Sequence, residues 1–127
     1  MIKVSGDRQT GKTHLLLELA AFEAIAGKSV LFECHDWKVA EDAHRRLLDQ
    51  HMPQQYVERS WQSNGNRLVT TLNGGSVRFL SGAGNAYRGG RADAHIFDEV
   101  EPADRPVPGA RVYYAPRTIE SDAPYWP

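Results

Sequence analysis

The feature that most restricts what this chain can fold into is a glycine-containing run near its start. The run fits G-x-x-x-x-G-K-[ST] at each fixed position, and its members are Gly6, Asp7, Arg8, Gln9, Thr10, Gly11, Lys12 and Thr13. The two glycines let the backbone turn tightly and present N–H groups to phosphate oxygens. The lysine adds a positive charge at the β- and γ-phosphates, and the hydroxyl after it is a Mg²⁺ ligand. The run predicts a phosphate-binding loop, and these residues together with His14 are the candidate ATP ligands.

The segments on either side of the run have the order that such a loop requires. Residues 2–5 are typical of a short buried strand, and residues 12–26 of a helix that Gly27 ends. A coincidental glycine turn before a helix is the alternative. We expect the helix to pack under a sheet, because its leucines are too dense for a surface helix. They are Leu15, Leu16, Leu17 and Leu19.

A second strand and a second helix follow. Residues 29–34 contain a continuous apolar run, which is typical of a parallel strand covered on both faces. Asp36 is placed to cap a helix that extends to about His51 and is ended by Pro53. The stripe expected to be buried on this helix is Trp37, Ala40, Ala43, Leu47 and Leu48.

The remaining segments predict strands. Residues 67–72 and 76–80 flank the turn Asn73-Gly74-Gly75, which indicates a β-hairpin. Residues 94–98 and 110–115 are short apolar strands. We therefore expect an α/β protein with a mostly parallel sheet, flanking helices and an added hairpin. It is expected to form one domain over residues 1–115, with a C-terminal tail over residues 116–127.

Two carboxylates, Asp98 and Glu99, end the strand of residues 94–98. In a parallel sheet this end faces the same edge as the phosphate-binding loop. Asp98 is expected to bind Mg²⁺, and Glu99 to act as general base on a water molecule; a solvated turn is the alternative. The pair indicates the RecA-like, ASCE-type P-loop NTPases, in which an extra strand separates the loop strand from the acidic strand. Residues 110–115 are the candidate strand, and residues 116–118 after it would approach the γ-phosphate.

Three segments together resemble the ATPase domain of phage large terminases, the motors that package DNA. They are the loop with its Arg8-Gln9 pair, the hairpin over residues 73–81, and the run of residues 88–99. The chain is similar to a minimal or truncated member of that family. The resemblance implies Mg²⁺-dependent ATP hydrolysis, with Arg8 contacting the γ-phosphate in cis and Arg88 acting as an arginine finger towards a neighbouring subunit. The candidate catalytic residues are thus Lys12, Glu99, Arg8 and Arg88.

Other interpretations of these residues stay open. Where the family usually has Thr-Pro after its next strand, this chain has Ala115-Pro116-Arg117-Thr118. Arg8 and Arg88 are alternatively solvated loop residues, and Arg88 alternatively contacts a DNA backbone. A nucleotide-dependent binding module with little or no turnover is the second function that the sequence allows. A small-molecule kinase is the third, and the Asp-Glu pair argues against it.

Composition bears on partners and location. The formal net charge of -1 gives no whole-protein signature of nucleic-acid binding. The partners implied by the resemblance are a homo-oligomer, double-stranded DNA and phage packaging or replication proteins, so DNA contact would need a local patch. The single cysteine, Cys34, excludes an internal disulfide and favours a reducing compartment. Because no apolar stretch reaches membrane-spanning length, we expect no membrane partner and a cytoplasmic location, in the host cell if the chain is phage-encoded.

Several histidines and tryptophans also invite functional interpretations. A zinc site is not expected near residue 35, because such sites normally use four ligands at recognisable spacings. The residues that suggest one are Cys34, His35, Asp36 and His44. We expect His14 and His51 to be solvated. Trp37 and Trp61 are expected to pack in the core or at its edge rather than to stack on bases.

Overall fold

The computed structural model describes residues 1–4, 9–63, 66–81, 92–100, 102 and 106–116. Within these ranges, seven strands form one mixed sheet that is accompanied by two α-helices. The helices are α1 (Gln9–Ile25) and α2 (Trp37–Arg46). A π-helical turn (Leu47–His51) and a 3₁₀ turn (Gln54–Tyr56) follow α2. The strands are β1 (Ile2–Lys3), β2 (Ser29–Cys34), β3 (Val57–Ser63), β4 (Asn66–Thr71), β5 (Ser76–Ser81), β6 (Ala94–Asp98) and β7 (Arg111–Ala115).

The strands lie in the order β1-β7-β6-β2-β5-β4-β3. Neighbours from β1 to β5 along this order pair in parallel, and β5, β4 and β3 pair antiparallel. The predicted hairpin is therefore confirmed as β4 and β5. The strand β7 lies between β1 and β6, which confirms the prediction that residues 110–115 separate the first strand from the acidic strand.

The core lies between α1, α2 and one face of the sheet. Leu16, Leu17 and Ala20 are fully buried on α1, and they pack in one cluster with Phe32 of β2 and Ile96 of β6. The prediction that α1 packs on the sheet is confirmed, because the helix contacts β2, β5, β6 and β7. The expectation was wrong for Leu15, which is largely exposed. With 3.6 residues per turn, one side of even a leucine-rich helix must face away from the sheet.

The hairpin caps the carboxyl end of α1. Thr71 Oγ1 donates to the carbonyl oxygen of Ala24 at 2.9 Å, and Asn73 Nδ2 donates to that of Ile25 at 2.8 Å. The last carbonyls of a helix lack partners within the helix; the Ala24 carbonyl also accepts a bond from the Gly27 N–H, and the Asn73 side chain supplies the bond to the Ile25 carbonyl. Gly75 makes the close approach possible, since a Cβ there would lie 2.0 Å from the Ala24 carbonyl oxygen.

The second helix differs from its prediction at one end. Asp36 caps α2 as predicted, since its side chain accepts a hydrogen bond from the Val39 N–H. The α-helix stops at Arg46, however, and the expected last turn is the π-helical turn, which closes with a bond from the Met52 N–H to the Leu47 carbonyl. The prediction of a buried Trp37 was wrong, because the first residue of α2 points away from the sheet and is 54% exposed.

The two edge strands also differ from expectation. The strand β1 is shorter than the predicted residues 2–5 and its two residues are exposed; Val4 beyond it is buried and donates its N–H to the Tyr114 carbonyl. The strand β3 was not predicted, because its sequence VERSWQS lacks an apolar face. Trp61, which was expected in the core or at its edge, lies on this edge strand and is 40% exposed, so the core is excluded for it. No helix within the described residues has the length and apolar character needed to cross a membrane.

Candidate functional site

The parallel pairing brings the predicted phosphate-binding and acidic residues to one edge of the sheet. Thr13 lies in the early part of α1, and Asp98 is the last residue of β6. The Thr13 hydroxyl donates a hydrogen bond to Asp98 Oδ2 at 3.0 Å across 85 residues of sequence. The structure thus joins the two residues that the sequence analysis assigned to Mg²⁺.

Asp98 has an unusual environment for a carboxylate. Its side chain is only 2% exposed, and its second oxygen, Oδ1, is buried and accepts no hydrogen bond from the described residues. Burial raises the pKa of Asp98 to about 6, and the charge of Glu99 acts in the same direction. The hydrogen bond from Thr13 and the charges of Arg46 and Lys12 oppose this rise in the pKa. A buried carboxylate with one unused oxygen is a group that a cation would stabilise.

Lys12 is buried beside this carboxylate. Its ammonium group donates to the carbonyl oxygen of Pro116 at 3.0 Å, directly after the end of β7. This contact places Pro116 at the site, as the sequence analysis expected for the residues that follow the extra strand. Because a buried ammonium group needs hydrogen-bond acceptors, the lysine is held at the edge of the sheet where α1, β6 and β7 meet.

Glu99 has a strained backbone. Its φ is 60°, the left-handed region that non-glycine residues rarely adopt. Its N–H donates to the Ala115 carbonyl at 2.8 Å, which fixes the turn after β6 against the end of β7. Such a conformation costs on the order of 1–3 kcal/mol and occurs preferentially at functional sites. The strain therefore makes Glu99 a candidate for a functional role independently of its sequence pattern.

Gly11 lies in the first turn of α1, and it is exposed. A Cβ built on Gly11 would meet nothing within 4 Å among the described residues. Neither packing nor a positive φ therefore explains a glycine within α1, where it is less favourable than alanine by about 1 kcal/mol. Open space above an early helical residue is what close approach of an anion to the backbone requires.

A cavity of about 200 Å³ adjoins this edge of the sheet. Thr13, Asp98 and Glu99 form one side of it, and α2 with the residue after β2 forms the other. The remaining lining residues are His35, Val39, Asp42, Ala43 and Arg46. Sequence analysis missed Arg46, which is mostly buried and lies 4.0 Å from Asp42. Its only sequence signal was its place on the helix after β2, one strand away from Asp98.

A larger cavity of about 490 Å³ lies between α2 and β3. Its lining includes Arg45, His44 and Trp61 but neither Thr13 nor the acidic pair. The neighbouring residues Arg45 and Arg46 thus face two different cavities. We place the candidate site at the smaller one, because only that cavity contains the buried carboxylate and the phosphate-loop threonine.

Other predicted site residues have different outcomes. Gln9 and Thr10 belong to the first turn of α1. His14 lies against Glu18 and His51 and is not among the described residues that line the cavity. Six other predicted residues lie outside the described ranges, namely Gly6, Asp7, Arg8, Arg88, Arg117 and Thr118.

The residues present fit a bound Mg²⁺. This ion prefers oxygen ligands and retains several waters, so it needs few protein groups. The Thr13 hydroxyl and the unused Asp98 Oδ1 supply such oxygens.

No family model, curated protein or solved structure matches this chain.

Proposed function

We propose that this chain is a P-loop NTPase of the RecA-like type that binds ATP with Mg²⁺ and hydrolyses it. The observation that carries the proposal is the 3.0 Å hydrogen bond between Thr13 and the buried Asp98. A glycine turn that resembled the motif by chance would have no reason to place its threonine on a carboxylate at the end of another strand. The strand order β1-β7-β6 supports the same assignment.

The chain's own residues have separate tasks in this reaction. The open backbone at Gly11 and the ammonium group of Lys12 bind the phosphates, the lysine exchanging its bond to the Pro116 carbonyl for a phosphate oxygen. Thr13 and Asp98 would hold Mg²⁺, which would supply positive charge to neutralise the phosphate oxygens. Glu99 accepts the proton of the attacking water, and its fixed backbone keeps the carboxylate beside the cavity.

Arg46 contributes positive charge from the far wall of the cavity. In phosphoryl transfer, charge spreads over the equatorial oxygens, and a fixed cation stabilises it. The guanidinium group is preorganised because Asp42 lies beside it and its side chain is only 21% exposed. Arg46 is thus a cation supplied in cis, in addition to the arginines that the resemblance suggested.

We further propose that the ATPase works as a terminase-like motor on double-stranded DNA in an oligomer. The support is the resemblance of the three segments, together with the hairpin and the strand order in the described sheet. This part is tested separately. Turnover per chain should rise with protein concentration and with added DNA; concentration-independent turnover in a monomer that DNA does not affect would contradict it.

Nucleotide binding is tested at Lys12. Lys12→Ala should weaken ATP binding ten-fold or more, or by at least about 1.4 kcal/mol, because it removes the buried cation at the site. Titration of a fluorescent ATP analogue measures this. Lys28→Ala is the matched control, since Lys28 is an exposed lysine before β2, at the other end of the sheet. Equal affinity in parent and Lys12→Ala would contradict the assignment of the phosphate site.

A further inference from the structure

A second cluster of ligand-type side chains lies between α1 and the π-helical turn, outside the lining of the candidate site. His14 and Glu18 are one helical turn apart on α1, and His51 ends the π-helical turn. Glu18 Oε2 lies 3.0 Å from His51 Nδ1 and 4.0 Å from His14 Nε2. The centroids of the two imidazole rings are 4.5 Å apart, and the ring planes meet at 61°. One ligand atom from each of the three residues lies within 4.8 Å of the other two.

One side chain of this cluster is buried, and the other two are open to solvent. The His51 side chain is fully buried, whereas those of His14 and Glu18 are about half exposed. The expectation that His51 is solvated was therefore wrong. Its Nε2 is also buried and makes no hydrogen bond within the described residues. The other ring nitrogen, Nδ1, faces Glu18 and is therefore the atom that this histidine presents to the cluster.

The backbone that positions His51 is unusual as well. The π-helical turn replaces the α-helical turn that would otherwise continue α2, and its wider winding ends at the His51 that faces α1. Isolated π-helical turns are rare and occur frequently at functional sites. The turn is thus an observation independent of the side-chain distances, and it concerns the same residue.

We propose that His14, Glu18 and His51 bind one divalent transition-metal ion, with Zn²⁺ as the best match. Two imidazoles and a carboxylate are a ligand set that zinc accepts, and water then fills the open coordination position. Donor atoms around a tetrahedral zinc ion lie about 3.4 Å apart. The exposed side chains of His14 and Glu18 can reach this spacing by rotating while His51 stays fixed: the distance of 3.0 Å between Glu18 and His51 would widen, and that of 4.0 Å between Glu18 and His14 would shorten.

This site is distinct from the proposed magnesium site in chemistry. Magnesium is a poor match for imidazole nitrogen, and the Thr13 and Asp98 oxygens form a separate group. A bound ion would link α1 to the π-helical turn. Its ligand on α1, His14, directly follows Thr13 of the proposed phosphate-binding loop. It would therefore stabilise the contact between these two elements whether or not ATP is bound.

Zinc titration with and without single substitutions tests the proposal. In excess Mg²⁺, the parent should bind one Zn²⁺ per chain in a calorimetric titration. His14→Ala and Glu18→Gln should each weaken binding ten-fold or more, and both variants should fold because these side chains are exposed. His35→Ala is the matched control, since His35 also lies beside a carboxylate on the surface, 3.4 Å from Asp36, and it should bind zinc like the parent.

Thermal unfolding gives a second readout. Zinc should raise the Tm of the parent and of His35→Ala, but not that of His14→Ala. Parental affinity in both His14→Ala and Glu18→Gln, or loss of binding only in His35→Ala, would overturn the proposal. In that case Glu18 and His51 form an ordinary hydrogen bond. Neither result depends on ATP turnover, so the metal site and the proposed ATPase can fail independently.

Discussion

Replacing Asp98 by asparagine should stabilise the protein at neutral pH while removing its proposed magnesium ligand. The pKa of Asp98 is about 6 in the folded protein, against about 3.9 in an unfolded chain. Asparagine has the same shape and keeps an oxygen that can accept the Thr13 hydrogen bond. The substitution therefore removes the cost of a buried charge and little else.

The size and direction of the effect follow from the two pKa values. The folded pKa is raised, so the folded state holds a proton that the unfolded state has already lost between about pH 4 and pH 6. The parent therefore loses stability as the pH rises through this window. A difference of about two pKa units corresponds to about 3 kcal/mol, and Asp98→Asn should not show this loss.

Urea unfolding of both proteins over a pH series measures the difference. The advantage of Asp98→Asn over the parent should grow by about 3 kcal/mol between about pH 4 and about pH 8. Added Mg²⁺ should reduce the advantage at the higher pH, because it stabilises the charged parent only. Asp93→Asn is a control for which the opposite effect on stability is expected. The Ser29 backbone N–H holds the pKa of Asp93 below its usual value, so the charged Asp93 stabilises the folded state above the acid range. If the difference in the free energy of unfolding between Asp98→Asn and the parent did not change with pH, the reasoning would be refuted.

Two further substitutions separate binding from turnover. Gly11→Ala should stabilise the ATP-free protein by up to about 1 kcal/mol and weaken ATP binding, because the methyl group enters the space that the phosphate needs; unchanged ATP affinity in a titration would contradict this. Arg46→Ala should lower kcat about ten-fold or more, with a smaller effect on ATP affinity, since a fixed cation acts mainly on the transition state. The neighbouring Arg45→Ala, which faces the other cavity, should keep parental kcat, and equal losses in the two variants would exclude the assigned role of Arg46.

The sequence predicted the parts of the fold that local patterns specify. The apolar run of β2, the Asn-Gly turn of the hairpin and the Asp36 cap each have a short-range cause, and each was found. The position of β7 was predictable only through the class of P-loop NTPases that the Asp98-Glu99 pair indicates, because strand order is set by long-range pairing. The contact between Thr13 and Asp98 then follows from that order, since parallel strands bring their carboxyl ends to one edge.

Other features depend on packing that no local pattern records. The strand β3 has no apolar face because it is an edge strand. Its sequence therefore lacks the alternation of apolar and polar residues that would predict a strand. The burial of His51 depends on a π-helical turn whose sequence looks like ordinary helix. The role of Arg46 depends on which cavity its side chain faces, and Arg45 has the same local sequence context.

The central claim is tested most directly by phosphate release from ATP at saturating ATP and Mg²⁺. The parent should release phosphate only when Mg²⁺ is present. Glu99→Gln should lower the rate by about 10²–10⁴-fold while still binding ATP, because the amide cannot accept the proton of the attacking water. Glu58→Gln, which changes an exposed glutamate on β3 that accepts a bond from Thr70, should match the parent. Tight ATP binding without phosphate release from the parent would indicate the nucleotide-dependent binding module instead, and equal rates in parent and Glu99→Gln would contradict the assigned general base.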